Sequence, residues 1–333
     1  MKAPSNRGAA KLNEDQRVLH VLNRLGFGAR PGDVERVKAI GVDKYIEQQL
    51  SPEKIDDSAT EARLQNLETL RMTTAELYGK YPEPGQLLRQ LQQRGALPAD
   101  LAAARDNRVK GGANAAPNPN QPKTEGVSGE MQGPDAAKGN QAAKNPAAND
   151  ANPMNNAEYR KAMMEYFKEN NLRPPQFLTG ELQMSRILRA VYSERQLQEV
   201  MVDFWTNHFN VFAGKGADRW LLISYDRDTI RPNTLGKFYN LLLADAKSPA
   251  MLFYLDNFQS VSPNAQLPPL LPNAAQNPLR ALRMSNNPQQ QKQQQQRRGI
   301  NENYARELME LHTLGVDGGY TQKDVQEVAR CFT

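Results

Sequence analysis

QLQEVMVDFWTNHFNVF, residues 196–212, is the stretch whose reading decides the fold. Leu197, Met201 and Phe204 recur four and three residues apart, the period of an α-helix with one apolar stripe. On that helix His208 falls about 40° from Phe204 and about 20° from Leu197 and Met201, inside the stripe. This is the strongest amphipathic pattern in the chain. On one side of it Tyr159–Lys168 and Glu181–Tyr192 read as helices. On the other come Asp218–Ile230, stopped by Pro232, and Leu235–Ala246. Ser248 followed by Pro249 is a cap with proline at the first helical position, launching Ala250–Leu255.

The same period extends to both ends. Asn13, followed by Glu14 and Asp15, caps a helix carrying Val18, Leu19, Leu22 and Leu25, which stops at Gly26. Asp33 opens a second helix with Val34, Val37 and Ile40, ended by Gly41. A third, short one places Tyr45, Ile46 and Leu50 inward. Residues 58–78 and 84–105 read as two longer polar helices. Near the C-terminus Asn301–Leu314 is helical and ended by Gly315. Thr321 with Asp324 then makes a capping-box-like start to a last helix. Two-residue alternation is absent, so the expected class is all-α, an irregular multi-helix bundle.

Two stretches break the pattern. Residues 107–156 are dominated by Gly, Pro, Asn, Ala, Gln and Lys, and residues 262–299 by prolines followed by glutamine runs. Such segments bury too little apolar surface to offset their ordering entropy, and are expected to be disordered insertions. The organisation expected is an N-terminal helical part over 12–106, the first insertion over 107–156, a helical core over 157–261, the second insertion over 262–299, and an incomplete helical block over 300–333. Outside the insertions roughly 245 residues remain, enough to bury a sizeable core.

The net charge of +5, from 42 basic and 37 acidic side chains, is small for 333 residues. Acids and bases are interleaved, as from Asp218 and Arg219 to Asp228 and Arg231. That pattern and the absence of a basic element with stacking aromatics argue against a nucleic-acid binder. The single cysteine, Cys331, excludes an intramolecular disulfide and a cysteine-based zinc site; beside Phe332 on an apolar helix face it reads as a core residue. Met1 to Asp15 holds no apolar signal core and no apolar run approaches a membrane span, so a soluble chain without a signal peptide or transmembrane segment is expected.

Only three histidines are present, His20, His208 and His312. His20, in line with Asn23 and Arg24, reads as surface or boundary. His208, in the stripe, is either a core histidine with a hydrogen-bond partner or a metal ligand or acid–base group. The richest polar cluster runs from Asn301 to His312. There Asn303, Glu307 and Glu310 fall within about 60° on a helix, and Arg306 is placed to pair with Glu310. Two carboxylates at this spacing hold a divalent metal or supply a general acid and base, or else form a solvated face. His312 lies about 140° from Glu307 and about 160° from Glu310, so it joins them only if the helix breaks. The catalytic candidates are therefore His208, Asn207, Glu307, Glu310, Asn303 and Arg306. The metal candidates are His208, Glu307 and Glu310. The glycines match neither a dinucleotide nor a phosphate-loop pattern, and Ser193 and Ser224 lack a nucleophile-elbow context.

Three blocks resemble the bacterial domain-of-unknown-function 1800 family. They are His20 to Gly28; Phe204 to Phe209 with its Trp-x-Asn-His-Phe core; and Asn301 to Leu308 with Leu314, Gly315, Tyr320 and Thr321. Their order is the family's, and they cover nearly all of the chain outside the insertions. The resemblance implies that members continue beyond the position of Thr333 into a further helical half, so that this chain is an N-terminal portion. It implies that many members are predicted to be exported. It also implies gene neighbours of the domain-of-unknown-function 1501 family, which look like the alkaline-phosphatase and sulfatase fold. Two functions stay open. One is a non-catalytic partner or assembly protein acting with that phosphatase/sulfatase-like neighbour. The alternative is a metal-dependent enzyme with a polar site in a helical bundle, completed by the further half.

Overall fold

The computed structural model describes residues 12–99, 101–102, 157–262 and 299–333, the side chains of 157–159 excepted. Among them there is no strand, and the class is all-α. The helices are α1 (Glu14–Leu25), α2 (Asp33–Ile40), α3 (Val42–Gln49), α4 (Ser58–Leu64), α5 (Thr74–Lys80), α6 (Pro84–Gln93), α7 (Ala157–Glu169), α8 (Gln176–Tyr192), α9 (Gln196–His208), α10 (Asp218–Ser224), α11 (Phe238–Ala246), α12 (Pro249–Tyr254), α13 (Glu302–Met309) and α14 (Gln322–Cys331). No described helix is long and apolar enough to cross a membrane. The two low-complexity stretches, except Ser262 and Gly299 at their ends, lie outside the described residues.

The chain divides into two compact units. The smaller, Tyr78–Pro175, packs Leu101, Met163 and Phe167 with Leu87, Leu88 and Leu172. Its α6 begins at Pro84, capped by Glu83, and ends at Gly95, whose φ of 66° suits glycine. Here the expected continuous helix over 84–105 is interrupted.

The larger unit contains everything up to Leu77 and from Gln176 onward. At its start the Asn13–Gln16 capping box forms, and α1 to α3 bury Val18, Leu22, Val37 and Tyr45 together. These helices grip the loop between α8 and α9 through side chain–backbone bonds. Gln49 Nε2 donates to the Glu194 carbonyl at 2.9 Å, and its Oε1 accepts from Leu197 N at 3.0 Å. Asp57 accepts from Ser193 Oγ and Glu194 N, both at 2.9 Å. The expected single helix over 58–78 is broken into α4, a 3-10 turn at Glu68–Arg71 and α5. Two polar competitors explain the break. Thr69 N and Oγ1 donate to Glu181, and the Thr73–Glu76 pair starts a fresh helix by capping.

Between α8, α9 and α10 lies a buried ion lattice. Arg231 grips Glu199 with two bonds of 2.9 Å and Asp226 with one of 2.8 Å, while Arg186 reaches Asp226 at 2.9 Å. Asp226 and Arg231 are five residues apart, about 140° around a regular α-helix, so they could not meet on one. They meet because α10 runs on through a π-helical turn, Tyr225–Ile230, into Arg231–Asn233. Pro232 therefore sits within the helical path instead of stopping it, a correction to the sequence reading. Burial opposes ionisation of Asp226, but Arg231 and Arg186 hold its pKa below the ordinary carboxylate value.

The C-terminal helices pack Ala305 and Met309 against Val325 and Ala329. Helix α13 gives way to a second π-helical turn, Glu310–Leu314, and the Thr321–Asp324 capping box opens α14. Cys331, expected in the core, is exposed, because the apolar face of α14 is carried by Val325 and Ala329.

Replacing Arg231 by Met would leave buried Glu199 without its close cation and Asp226 with Arg186 alone, and a loss of about 3–5 kcal/mol is expected. Arg36→Met, at a pair where the arginine side chain is 43% exposed, should cost less than about 1 kcal/mol. Denaturant midpoints of the two variants test this, and equal losses would refute a dominant role for the lattice.

Candidate functional site

The second π-helical turn carries His312 inward, to 7% exposure. Gly315, with φ of 83°, closes that turn by donating its N–H to the Glu310 carbonyl five residues back. The edge of the Phe209 ring lies against the imidazole, with centroids 5.0 Å apart. His312 Nδ1 stands 3.8 Å from Oδ2 of Asp245, a fully buried carboxyl on α11. Neither atom has a hydrogen-bond partner among the described residues. A separation of 3.8 Å is too long for a hydrogen bond, and a small ring movement would close it.

The other carboxyl oxygen of Asp245 is engaged. Tyr225, first residue of the earlier π-turn, places its hydroxyl 2.6 Å from Asp245 Oδ1 and 2.8 Å from the Phe209 carbonyl. A phenol has one proton for two acceptors. Both contacts are satisfied when Tyr225 donates to the carbonyl and a protonated Asp245 donates to the phenol oxygen. The electrostatics agree. Burial pushes Asp245 up to about 7, opposed in part by the Tyr225 hydrogen bond. Burial, with the neighbouring His208, pushes His312 down to about 4. Near neutrality the pair is poised between a carboxylic acid beside a neutral imidazole and a carboxylate beside the same ring.

His208 ends α9 and is half-buried. Its Nε2 lies 3.1 Å from the His312 carbonyl, an acceptor, so that nitrogen carries the proton. The two imidazole centroids are 6.3 Å apart. Trp205 anchors this end of α9 by donating its indole N–H to the Thr234 carbonyl and by stacking on Phe209.

Among the residues singled out from sequence, His208 belongs to this cluster, whereas the others do not join it. Asn207 is exposed and its amide donates to the Asp203 carbonyl on its own helix. Asn303 is exposed. Arg306 pairs with Glu310 at 3.1 Å and donates to Gln322. Glu307 is half-buried, and burial with the adjacent Glu310 raises its pKa. Among the described residues no three or more His, Cys, Asp or Glu side chains are grouped to hold a metal, so His208, Glu307 and Glu310 are not such a group. Asn301 caps α13 and donates to the Leu255 carbonyl, and Tyr304 is buried with its hydroxyl on the Ala246 carbonyl. Those two motif residues hold the helices that present Asp245.

Sequence reasoning missed Asp245 and Tyr225 and set His312 aside. One signal was available, an acid within the otherwise apolar run Leu241–Ala246. Several large apolar side chains here are exposed: Phe204, stacked on His208, Phe238, packed on Trp205 and Phe209, and Leu311 and Leu314, which flank His312 in the chain.

A family model described as a protein of unknown function (DUF1800) matches residues 20–333. No curated protein and no solved structure matches the chain.

The pair makes opposite pH signatures separable. Outside the fold Asp245 titrates near 3.8 and His312 near 6.5. Between about 4 and about 6.5 the unfolded chain thus holds the pair's proton on His312 and the folded chain on Asp245. The counts match, and the pair gives stability no slope. With His312→Asn only the raised Asp245 remains. Its contribution is present when protonated and lost as pH rises, so stability relative to the parent should fall by up to about 1.4 kcal/mol per pH unit. With Asp245→Asn only the lowered His312 remains, and relative stability should rise with pH over the same window. Denaturation midpoints across that window check both signs; equal slopes would refute the pairing.

Proposed function

We propose, for a chain that belongs to the family of the protein of unknown function DUF1800, a site of general acid–base chemistry at His312, with Asp245 as its orienting and proton-storing partner. The observation that carries this reading is the pair of orphaned buried atoms, His312 Nδ1 and Asp245 Oδ2, 3.8 Å apart. Closing that gap with Nδ1–H donated to a carboxylate leaves Nε2 as the basic nitrogen, the arrangement by which a carboxylate fixes a catalytic tautomer. His208, hydrogen-bonded to the His312 backbone, sets the far side of the imidazole. A substrate here is a small molecule with an ionisable O–H, N–H or activated C–H and an apolar body to lie on Phe204, Phe238 and Leu311. Of the two functions open from sequence, this is the enzyme, written without a metal requirement, since its carrying geometry is imidazole and carboxyl alone.

Metabolite profiling of a deletion strain against a chromosomal His312→Asn strain tests it. Compounds that accumulate on deletion should also accumulate in the variant, at normal protein level. A variant profile matching the wild type would overturn the acid–base reading.

The exposed apolar side chains around the histidines favour a second reading, a non-catalytic partner. Here that surface docks a protein of the phosphatase/sulfatase-like domain-of-unknown-function 1501 family. Co-purification abolished by Leu311→Glu with Phe238→Glu supports it. Failure of the two proteins to associate at micromolar concentration sinks it.

A further inference from the structure

The ion lattice has a face that the histidine site does not use. A cleft of about 290 Å³ lies over it, bordered by Arg189, Arg231 and Asp226 and walled by Leu64, Leu70 and Ile223. Charged groups and aliphatic carbons both line it, the make-up of a pocket for a small amphipathic molecule.

The charges on the cleft are unevenly satisfied. Arg231 is matched by Glu199 and Asp226, and Arg227 by Asp228 at 2.7 Å. Arg186 shares Asp226. Two cations, Arg71 and Arg189, are less fully matched among the described residues. Arg71 donates to the Gln65 carbonyl, with no other hydrogen bond among the described residues. Arg189, whose side chain is 18% exposed, uses a single nitrogen. Its Nη1 lies 2.8 Å from Glu61 and 4.0 Å from Glu199, while Nε and Nη2 donate to nothing among the described residues. Those two N–H groups form the side-on fork that matches the two oxygens of a carboxylate. Glu61, on the remaining nitrogen and 57% exposed, is a surface side chain whose pair with Arg189 is weak and screened by water.

We infer that this cleft binds a small carboxylate with a hydrocarbon body, the carboxylate on the Arg189 fork and the chain against Leu64, Leu70 and Ile223. Arg71 at the rim supplies the second positive charge. Of the lattice, Glu199 stands 4.0 Å from Arg189 Nη1, and Arg231 and Asp226 are not themselves ligands, because their bonds are already made. This inference is independent of the acid–base reading at His312.

Isothermal titration with octanoate, and with octanamide as its uncharged counterpart, tests it. Octanoate is expected to bind saturably with a Kd below about 1 mM, and octanamide at least about tenfold more weakly. Arg189→Gln should weaken octanoate by about tenfold or more, the worth of a charge-assisted hydrogen bond, and leave octanamide unchanged. Glu61→Gln removes the carboxylate that competes for the Arg189 charge and should tighten octanoate, a sign that a damaged fold does not produce. Absence of saturable binding, equal affinity for acid and amide, or an unchanged affinity in Arg189→Gln overturns the inference. If Arg189→Gln fails to fold by circular dichroism, Glu61→Gln decides, and an affinity no tighter than the parent's overturns it.

Discussion

Arg231 is a guanidinium held almost entirely out of water, and the larger unit is arranged around satisfying it. Desolvating such a charge costs several kcal/mol, recovered only if carboxylates meet it in good geometry. Glu199 comes from α9 and Asp226 from the π-helical turn beside Arg231 itself, while Arg186 of α8 neutralises what remains of Asp226. Three helical segments are thereby fixed relative to one another by charge as well as by apolar packing. The wide turn is the geometric requirement, since a regular helix would point Asp226 away from a residue five positions on. The same turn begins with Tyr225, whose hydroxyl reaches Asp245. One backbone irregularity therefore serves both the lattice and the histidine site.

The second π-turn repeats the device at lower charge. Carbonyls near a helix end lack intrahelical partners. Here the His312 carbonyl takes the Nε2–H of His208, and Thr313 Oγ1 donates back to the Leu308 carbonyl. The His312 side chain is left facing Asp245, away from Glu307 and Glu310. This explains why the Asn301–His312 block, so polar in sequence, yields one residue to the buried cluster and spends Asn301, Glu302, Tyr304 and Arg306 on holding α13 to its neighbours.

The helical class was legible because it rests on periodicity, and the caps at Asn13, Ser248 and Thr321 were legible because each is a local bond between residues three apart. His208 was legible as a residue on the apolar stripe. The ion lattice was not, because Asp226 meets Arg231 only where the helix carrying both widens, and Glu199 and Arg186 come from other helices. Nor were the helix breaks at Thr69 and Thr73, of which the first depends on Glu181, more than a hundred residues away. Asp245 and His312 were illegible as a pair for the same reason. Their contact is long-range, and a helical wheel at 100° per residue misplaces side chains beyond a π-turn.

Two orphaned polar atoms 3.8 Å apart in a packed interior call for a physical account. If the pair were purely structural, closing the gap would remove two unsatisfied groups, each costing about 1–3 kcal/mol. Three contacts oppose the closure. Phe209 lies edge-on against the imidazole, the Tyr225 hydroxyl draws the opposite oxygen of Asp245, and His208 holds the His312 carbonyl. The unmade bond is thus maintained by specific neighbours, at a cost the buried lattice and the apolar clusters absorb. Unsatisfied polar groups held in this way concentrate where a protein binds or reacts, and inference runs from the observed outlier toward function. Among the described residues Asp218 also has unpaired buried oxygens, so it is the facing of a carboxyl and an imidazole, and not orphaned atoms alone, that separates this cluster from an ordinary helical core.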